Sequence, residues 1–263
     1  MQRQITVVVV DDSAFMRKSI SLMLESSEDI KVLATARDGQ EGYELVKKLR
    51  PDIVTLDVEM PRMDGLTALK KIMADCPTAV IMVSSITTEG AEATLKAMEY
   101  GAVDFIPKDM SYVSVDIIKK KEELIRKVKE IVRQRLFQER IRKLQKLSST
   151  PEKARPVARS VNIPKNNYQA IALGISTGGP MSLQKVIPIL SKKINIPVFI
   201  VQHMPPKFTK SLAERLNGLS EIEVKEAEDG ETIRNGVAYI AKGGFHLNVK
   251  KNGSGFAVIN VTS

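Results

Sequence analysis

Short apolar runs alternate with helical patterns throughout the first 110 residues, and this rhythm constrains the fold more than any other feature of the chain. Each run is rich in Val and Ile and is followed by a stretch whose apolar residues recur at helical spacing. Such runs are typical of strands buried on both faces of a sheet. The alternation predicts a doubly wound parallel sheet of five strands covered by helices. The predicted strands are Thr6–Val10, Ile30–Thr35, Ile53–Leu56, Ala79–Val83 and Val103–Ile106.

A second alternation of strand and helix patterns begins at Ala170. Two strand patterns, Ala170–Ile175 and Val198–Val201, are each followed by a helical pattern, Met181–Leu190 and Lys207–Leu216. Short runs separated by turn signals such as Asn252-Gly253 follow and predict hairpins. This half is therefore predicted to be a second, Rossmann-like α/β unit, incomplete at its end. The predicted domains are residues 1–125, a basic helix and linker over residues 126–168, and residues 169–263.

Most of the positive charge lies in the middle of the chain. The whole sequence has a net charge of +9, but residues 1–110 carry −5 and residues 111–168 carry +10. No Gly or Pro occurs from Asp116 to Leu147, which predicts one long helix, and prolines 151, 156 and 164 predict a flexible tether. A basic helix can contact nucleic acid or a membrane surface, but the acidic first domain is an available partner within the chain.

Length and composition restrict the number of domains and the expected cellular location of the protein. At 263 residues the chain is long enough for more than one core, and no apolar stretch approaches the roughly 20 residues that span a bilayer. The run after Met1 is too short for a secretory leader. A single cysteine, Cys76, excludes an internal disulfide. We therefore expect a cytoplasmic protein without membrane insertion.

Polar residues follow the predicted strands of the first domain. Asp11 and Asp12 follow the first strand, and Asp57 follows the third. Ligands gather at the carboxyl ends of parallel strands, so these carboxylates are expected to converge and to bind a hard cation such as Mg²⁺. Ser84 and Lys108, after the fourth and fifth strands, are suited to hold phosphoryl oxygens. Asp57 is then the predicted nucleophile that forms an acyl phosphate.

These residues stand in motifs that resemble the receiver domain of two-component response regulators, which has a flavodoxin-like fold. The motifs are Val10-Asp11-Asp12-Ser13, Leu56-Asp57-Val58-Glu59-Met60-Pro61-Arg62-Met63-Asp64-Gly65, Val83-Ser84-Ser85 and Phe105-Ile106-Pro107-Lys108. The resemblance implies that Asp57 accepts phosphate from a histidine kinase and that Asp11, Asp12, Asp57 and the carbonyl of Glu59 hold Mg²⁺. It also implies a switch pair, Ser84 and Phe105, and a phosphoryl contact from Lys108. Asp109 replaces the proline usual after that lysine, and we expect no cis bond there because it costs ~2.5–4 kcal/mol.

Ser176 and His203 are the candidate chemical groups of the second half. Ser176 lies where a strand passes into a helix, among Gly174, Gly178 and Gly179. Such a loop suits an oxyanion hole, and it equally suits a bound phosphate, so a nucleotide site remains an alternative. His203 ends the next strand and is one of two histidines in the chain, which places a general base near the serine. His246 is predicted to be structural or peripheral to the site.

This half resembles the catalytic domain of the chemotaxis response-regulator protein-glutamate methylesterases. The matching stretches are Gly174–Pro180, Val201–Pro206, Ala227–Gly230, Tyr239–Ala241 and His246-Leu247. The resemblance implies a catalytic Ser176 and His203, with Thr177 beside the oxyanion site and no cofactor for ester hydrolysis. It implies methyl-glutamates, and glutamines for deamidation, on chemotaxis receptors as substrates. The family's triad aspartate comes from a later part of the domain than Ser263, so we expect a C-terminally truncated chain whose activity depends on the missing part.

The domain order predicts a hydrolase whose active site the receiver covers until Asp57 is phosphorylated. The alternative is a receiver that controls a nucleic-acid- or nucleotide-binding output. The basic middle segment favours nucleic acid, but its few aromatics and the lack of a helix-turn-helix pattern argue against it. The expected partners are therefore a chemotaxis histidine kinase and chemotaxis receptors, with no nucleic acid.

Overall fold

The computed structural model describes residues 3–108, 114–147, 168–190, 192–253 and 255–262, which form two α/β units. The predicted proline-rich tether and the peptide bond between Lys108 and Asp109 lie outside these residues.

The first unit is a five-stranded parallel sheet in the order β2-β1-β3-β4-β5. Successive residues of a strand point alternately to the two faces of the sheet, and each face is covered by helices. Val7 therefore belongs to one buried apolar cluster and Val8 to the other. This confirms the doubly wound sheet predicted from the Val- and Ile-rich runs. The strands are β1 (Ile5–Val10), β2 (Ile30–Ala36), β3 (Ile53–Asp57), β4 (Ala79–Ser84) and β5 (Asp104–Pro107).

Five helices cover the two faces of this sheet. Side chains of α1 and α5 fill one apolar cluster, and those of α2, α3 and α4 fill the other. Ser13 caps α1 by accepting from the Met16 N–H at 3.3 Å, and Asp38 caps α2 by accepting from the Glu41 N–H at 2.9 Å. These bonds satisfy donors that a helix N-terminus leaves free. The helices are α1 (Ala14–Glu25), α2 (Gly39–Leu49), α3 (Gly65–Asp75), α4 (Thr88–Glu99) and α5 (Ser114–Leu147).

Helix α5 is continuous across the predicted domain boundary at residue 125. Val128, Ile131 and Val132 are buried in the cluster shared with α1, so the packed part of the helix extends past that boundary. Beyond Val132 the apolar side chains of Phe137 and Leu144 are exposed. Within the described residues, no helix has both the length and the apolar character needed to cross a membrane.

The second unit is a four-stranded parallel sheet in the order β6-β7-β9-β8, followed by an antiparallel hairpin, which confirms the predicted α/β class. The predicted helix over Met181–Leu190 differs in detail: it ends at Val186 and continues as a 3₁₀ turn, because Pro188 cannot donate a helical hydrogen bond. The elements are β6 (Ile171–Ile175), α6 (Gly179–Val186), the 3₁₀ turn (Ile187–Ile189), β7 (Val198–Gln202), α7 (Pro206–Leu219), β8 (Glu223–Glu226), β9 (Val237–Ile240), β10 (Phe245–Asn252) and β11 (Gly255–Thr262).

The two units pack directly against each other. Phe105, in β5, stacks on Phe208, in α7, with ring centroids 4.5 Å apart and planes 7° from parallel. Both rings are buried, and one apolar cluster runs from the first unit into the second. Glu99, at the end of α4, forms an ion pair with Arg215 of α7. The receiver-like unit is therefore docked on the second unit through the β5 and α4 edge.

Two helical glycines differ in the space around them, which gives a test of the packing. A Cβ on Gly42 would lie 2.8 Å from the Val10 Cγ1 atom, whereas a Cβ on Gly218 would meet nothing within 4 Å. We expect Gly42→Ala to lower the free energy of unfolding by about 1–3 kcal/mol because α2 must move off β1. We expect Gly218→Ala to raise it by about 0.4–1 kcal/mol by restricting the unfolded chain. Urea unfolding followed by circular dichroism measures both; equal effects would contradict the packing described.

Candidate functional site

The carboxyl edge of the first sheet brings three carboxylates together. Asp11 follows β1 and Asp57 ends β3, and these strands are neighbours in the sheet. One carboxylate oxygen each from Asp11, Asp12 and Asp57 lies within 4.8 Å of the others. Asp11 and Asp57 are buried, whereas Asp12 is exposed. The convergence predicted from the strand ends is therefore present.

Lys108 reaches into this cluster from the end of β5. Its Nζ atom lies 2.6 Å from Asp57 Oδ2 and 3.0 Å from Asp11 Oδ2. Its backbone N–H donates to the Ser84 carbonyl at 2.6 Å, which fixes the loop to the end of β4. Although burial lowers the pKa of Lys108, hydrogen bonding and charge attraction from Asp57 and Asp11 raise it above its ordinary value. The ammonium thus stays charged and offsets part of the repulsion between the two buried carboxylates.

Asp57 is a carboxylate whose acidity is altered by its surroundings. Burial raises its pKa from 3.8 to about 6, despite the opposing effects of Lys108 and the Glu59 N–H. Repulsion from Asp11 adds to the rise. A divalent cation would remove this penalty, and carboxylate oxygens are the ligands that hard cations prefer. The residues present therefore fit a cation such as Mg²⁺.

The other predicted residues of the first site have different surroundings. Ser84 is fully buried, and its Oγ donates to the Gly90 carbonyl at 3.0 Å. Phe105 is turned to the second unit, in the stack with Phe208. The Glu59 N–H donates to Asp57 Oδ1 at 3.3 Å, so the loop after β3 folds back on the carboxylate.

Ser176 and His203 occupy equivalent places on neighbouring strands of the second sheet. β6 pairs with β7 in parallel, with Ile175 opposite Gln202, so the next residue of each strand is the serine or the histidine. Backbones of neighbouring strands lie about 4.8 Å apart, so the two residues leave adjacent strands at the same edge of the sheet. Both residues are exposed.

The loop after Ser176 is a tight turn that opens helix α6. The Gly179 N–H donates to the Ser176 carbonyl at 2.8 Å, and Gly178 has a φ of +72°. This is the third position of a type II turn, which requires glycine. The turn places Ser176 just before the N-terminus of helix α6, and a helix N-terminus favours negative charge such as that of an oxyanion.

The first unit contacts this turn with two carboxylates that the sequence analysis did not select. Asp104 Oδ2 accepts from the Gly178 N–H at 3.2 Å, and Glu130 Oε2 accepts from the Thr177 hydroxyl at 2.6 Å. Burial raises the pKa of Glu130, but the Thr177 bond and Arg126 lower it below its ordinary value overall. The sequence contained no local signal for these contacts, because Arg126 and Glu130 have the spacing of an ordinary solvated ion pair on a helix.

The chain's second histidine and its only aspartate after residue 169 lie outside the loops that follow β6 and β7. His246 is in β10 of the hairpin, opposite Val261. Asp229 is exposed in the turn after β8, and β9 separates β8 from β7. In the part of the chain that the structure describes, no carboxylate forms a hydrogen bond with the His203 ring. A cavity of about 280 Å³ remains beside His203, between β5 and the loop before α7.

Comparison with known proteins assigns each half of the chain to a family. Residues 7–119 match the response regulator receiver domain, and residues 171–262 match the CheB methylesterase family. The chain is 48% identical over 283 residues to protein-glutamate methylesterase/protein-glutamine glutaminase 2 of Nitratidesulfovibrio vulgaris, covering 98% of this chain and 74% of that protein. It is 49% identical to the protein-glutamate methylesterase/protein-glutamine glutaminase of Halalkalibacterium halodurans, with 98% and 72% covered.

A solved structure is similar to the first unit alone. The response regulator domain of Thermotoga maritima CheB is 46% identical, with a TM-score of 0.46, and the match covers 50% of this chain and 98% of that one.

The raised pKa of Asp57 predicts a dependence of stability on pH. A carboxyl group with a folded pKa of about 6 and an ordinary value of 3.8 binds protons more tightly in the folded state. Its contribution therefore becomes destabilising as the pH rises from about 4 to above 6. In EDTA, we expect Asp57→Asn to raise the free energy of unfolding by about 1–3 kcal/mol at pH 7.5, with no gain near pH 4.

Urea unfolding at pH 4 and at pH 7.5 measures this difference. Glu25→Gln, at an exposed position of α1, is the control and should change stability little at either pH. A gain from Asp57→Asn that is the same at both pH values would contradict the assigned burial penalty.

Proposed function

This chain belongs to the protein-glutamate methylesterase family of chemotaxis response regulators, and we propose that phosphorylation of Asp57 activates its hydrolysis of methyl-glutamate esters on chemotaxis receptors. The same chemistry applied to a glutamine side chain releases ammonia and leaves glutamate. One observation carries this proposal: Ser176 and His203 follow adjacent strands, and two carboxylates of the first unit accept hydrogen bonds from the loop after Ser176. We propose a cytoplasmic site of action, in keeping with the single cysteine of the chain.

In the receiver, the proposed nucleophile is the Asp57 carboxylate, which attacks the phosphoryl group of a phosphohistidine on the kinase and releases the histidine. Asp11, Asp12, Asp57 and the carbonyl of Glu59 would hold Mg²⁺, which supplies positive charge for the phosphoryl oxygens when bound. Lys108, already within 2.6 Å of Asp57, would contact the phosphoryl group. Ser84 would provide a hydroxyl to it from the end of β4.

In the second unit, His203 would take the proton of Ser176 as the serine oxygen attacks the ester carbonyl. The turn N–H groups, with Thr177 beside them, would stabilise the resulting oxyanion. His203 would then give the proton to the departing methoxide, which leaves as methanol. Water, activated in the same way, would hydrolyse the acyl-serine and release a glutamate. This sequence needs no cofactor.

Strand β5 links the proposed phosphorylation site to the docked surface. Lys108 follows the strand at the Asp57 end, while Asp104 and Phe105, within it, contact the second unit. A phosphoryl group on Asp57 would draw Lys108 toward it and shift the strand's contacts. Loss of the Asp104 and Glu130 contacts would then free Thr177 and Gly178, beside Ser176, for contact with substrate.

The alternative of a nucleic-acid- or nucleotide-binding output is not favoured. Residues 171–262 match the CheB methylesterase family, and the relatives that match nearly the whole chain are protein-glutamate methylesterases/protein-glutamine glutaminases. Part of the basic helix has acidic partners within the chain, since Lys129 pairs with Asp29 at 2.5 Å and Lys127 with Asp104 at 3.1 Å.

The chemical assignment is tested at Ser176. We expect Ser176→Ala to lower methanol release from methylated receptors by at least about 10³-fold, because the nucleophile is removed. Phosphorylation of Asp57 by acetyl phosphate and Mg²⁺ should be unchanged in this variant. Ser182→Ala, which removes another exposed hydroxyl on the same loop and helix, is the control. Methanol release that survives Ser176→Ala would refute the assignment.

The docking is tested with the ion pair between Glu99 and Arg215. We expect Arg215→Glu to raise the activity of the unphosphorylated protein about 2- to 5-fold, because two like charges then meet across the interface. The double variant Glu99→Arg/Arg215→Glu should return activity toward the original value. Arg234→Glu, whose partner Glu223 lies in the same unit, is the control. An activity rise in the double variant as large as in the single one would argue against docking as the inhibitory state.

A further inference from the structure

Gln202 is a polar side chain at a position where the strand pattern calls for an apolar one. Along β7, Val198 and Ile200 are buried on the face that packs against the helices, and Gln202 is the next residue on that face. Its side chain is 6% exposed. An apolar side chain would fill this place without the cost of desolvating an amide.

The Gln202 amide joins the two loops that carry Ser176 and His203. Its Nε2 atom donates to the Ser176 carbonyl at 3.1 Å and to the His203 carbonyl at 3.4 Å. A glutamine NH₂ group has two hydrogens, one for each of these acceptors. The opposite assignment of the amide would place its oxygen against two carbonyls, so the contacts fix which end faces them.

The rest of the local structure makes room for this amide. A Cβ on Gly179 would lie 1.9 Å from Gln202 Oε1, so only glycine fits at that position. Oε1 itself is buried with no hydrogen-bonding partner among the described residues. Leaving an acceptor unpaired costs about 1–3 kcal/mol. The fold thus retains the Gln202 amide although its unpaired Oε1 lowers stability. The hydrogen bonds described for this amide are those from Nε2 to the two loop carbonyls.

We propose that Gln202 is a positioning residue that sets the distance between the Ser176 and His203 peptide units. The inference rests on the proposed function of that pair. Proton transfer requires the serine oxygen and the imidazole nitrogen to lie about 2.6–3.2 Å apart. The strand pairing brings the two backbones together only as far as Ile175 and Gln202, after which each chain leaves the sheet. The bridging amide is the described contact that ties the two loops beyond that point.

The test replaces the amide by side chains of similar size. Gln202→Met removes both donors, and Gln202→Glu keeps the shape but places a carboxylate against two carbonyls. We expect kcat for methyl-ester hydrolysis by the phosphorylated full chain to fall about 10- to 100-fold in Gln202→Met and further in Gln202→Glu. KM should stay within about 2-fold. The rate of Ser176 labelling by an alkyl fluorophosphonate, which reports the activated serine without receptor binding, should fall by a similar factor.

Asn217→Ala is the matched control. Asn217 Oδ1 accepts from the Val224 N–H at 2.9 Å, so this variant also removes a bond from a side-chain amide to the backbone, at the start of β8. It should lower stability to urea without changing kcat or labelling. If Gln202→Met fails to fold, Gln202→Glu at neutral pH supplies the same comparison.

The outcomes separate this inference from the proposed function. If neither the phosphorylated wild-type chain nor a version completed with the C-terminal part of a methylesterase relative is labelled or active, the function itself is refuted. A labelled and active wild type with Gln202 variants of unchanged kcat, or with losses only in stability or KM, overturns the positioning role alone.

Discussion

Parallel strand pairing is the constraint on which both chemical sites of this protein depend. In the first unit, the pairing of β1 with β3 brings Asp11 beside Asp57, and in the second, the pairing of β6 with β7 brings Ser176 beside His203. In each case the polar groups follow the last paired residues, at the carboxyl edge of the sheet, where parallel α/β sheets bind their ligands. The apolar runs that hold these strands in the cores are therefore also what fixes the chemistry.

The connection between the two sites is short because strand β5 and the residue after it contact both of them. β5 has only four residues, yet Asp104 and Phe105 contact the second unit and Lys108, just beyond the strand, contacts Asp57. Buried Lys127 of α5 holds this strand through Asp104 Oδ1 at 3.1 Å and the Phe105 carbonyl at 2.8 Å. In the proposed switch no long pathway is needed, since a change at Asp57 reaches the Ser176 turn through a single element and the helix that holds it.

The sequence predicted those features that repeat or that stand in local motifs. The βα rhythm predicted both sheets, and polar residues at strand ends predicted the carboxylate cluster and the Ser176–His203 pair. The sequence could not predict the contacts of Glu130 with Thr177 or of Asp104 with Gly178, because they join residues far apart in the chain through the packing of two units. Gln202 was visible only as part of a motif; its role depends on which face of β7 it occupies and on the space above Gly179. The end of α6 was missed because Pro188, which cannot donate a helical hydrogen bond, lies two residues before the apolar pattern ends at Leu190.

The contacts that the first unit makes with the Ser176 turn place carboxylate oxygens at the turn where the proposed reaction would form a negatively charged oxygen. A turn whose N–H groups stabilise a negatively charged oxygen also attracts any carboxylate that reaches it. The receiver supplies two, at Asp104 and Glu130, and the product of ester hydrolysis is itself a carboxylate. Each contact is individually modest: a hydrogen bond to a charged group contributes ~1.5–3 kcal/mol and an aromatic pair ~0.5–1.5 kcal/mol. In the proposed switch, a few such contacts would be enough to populate the closed state, and a charge change at Asp57 that removed one or two of them would be enough to open it.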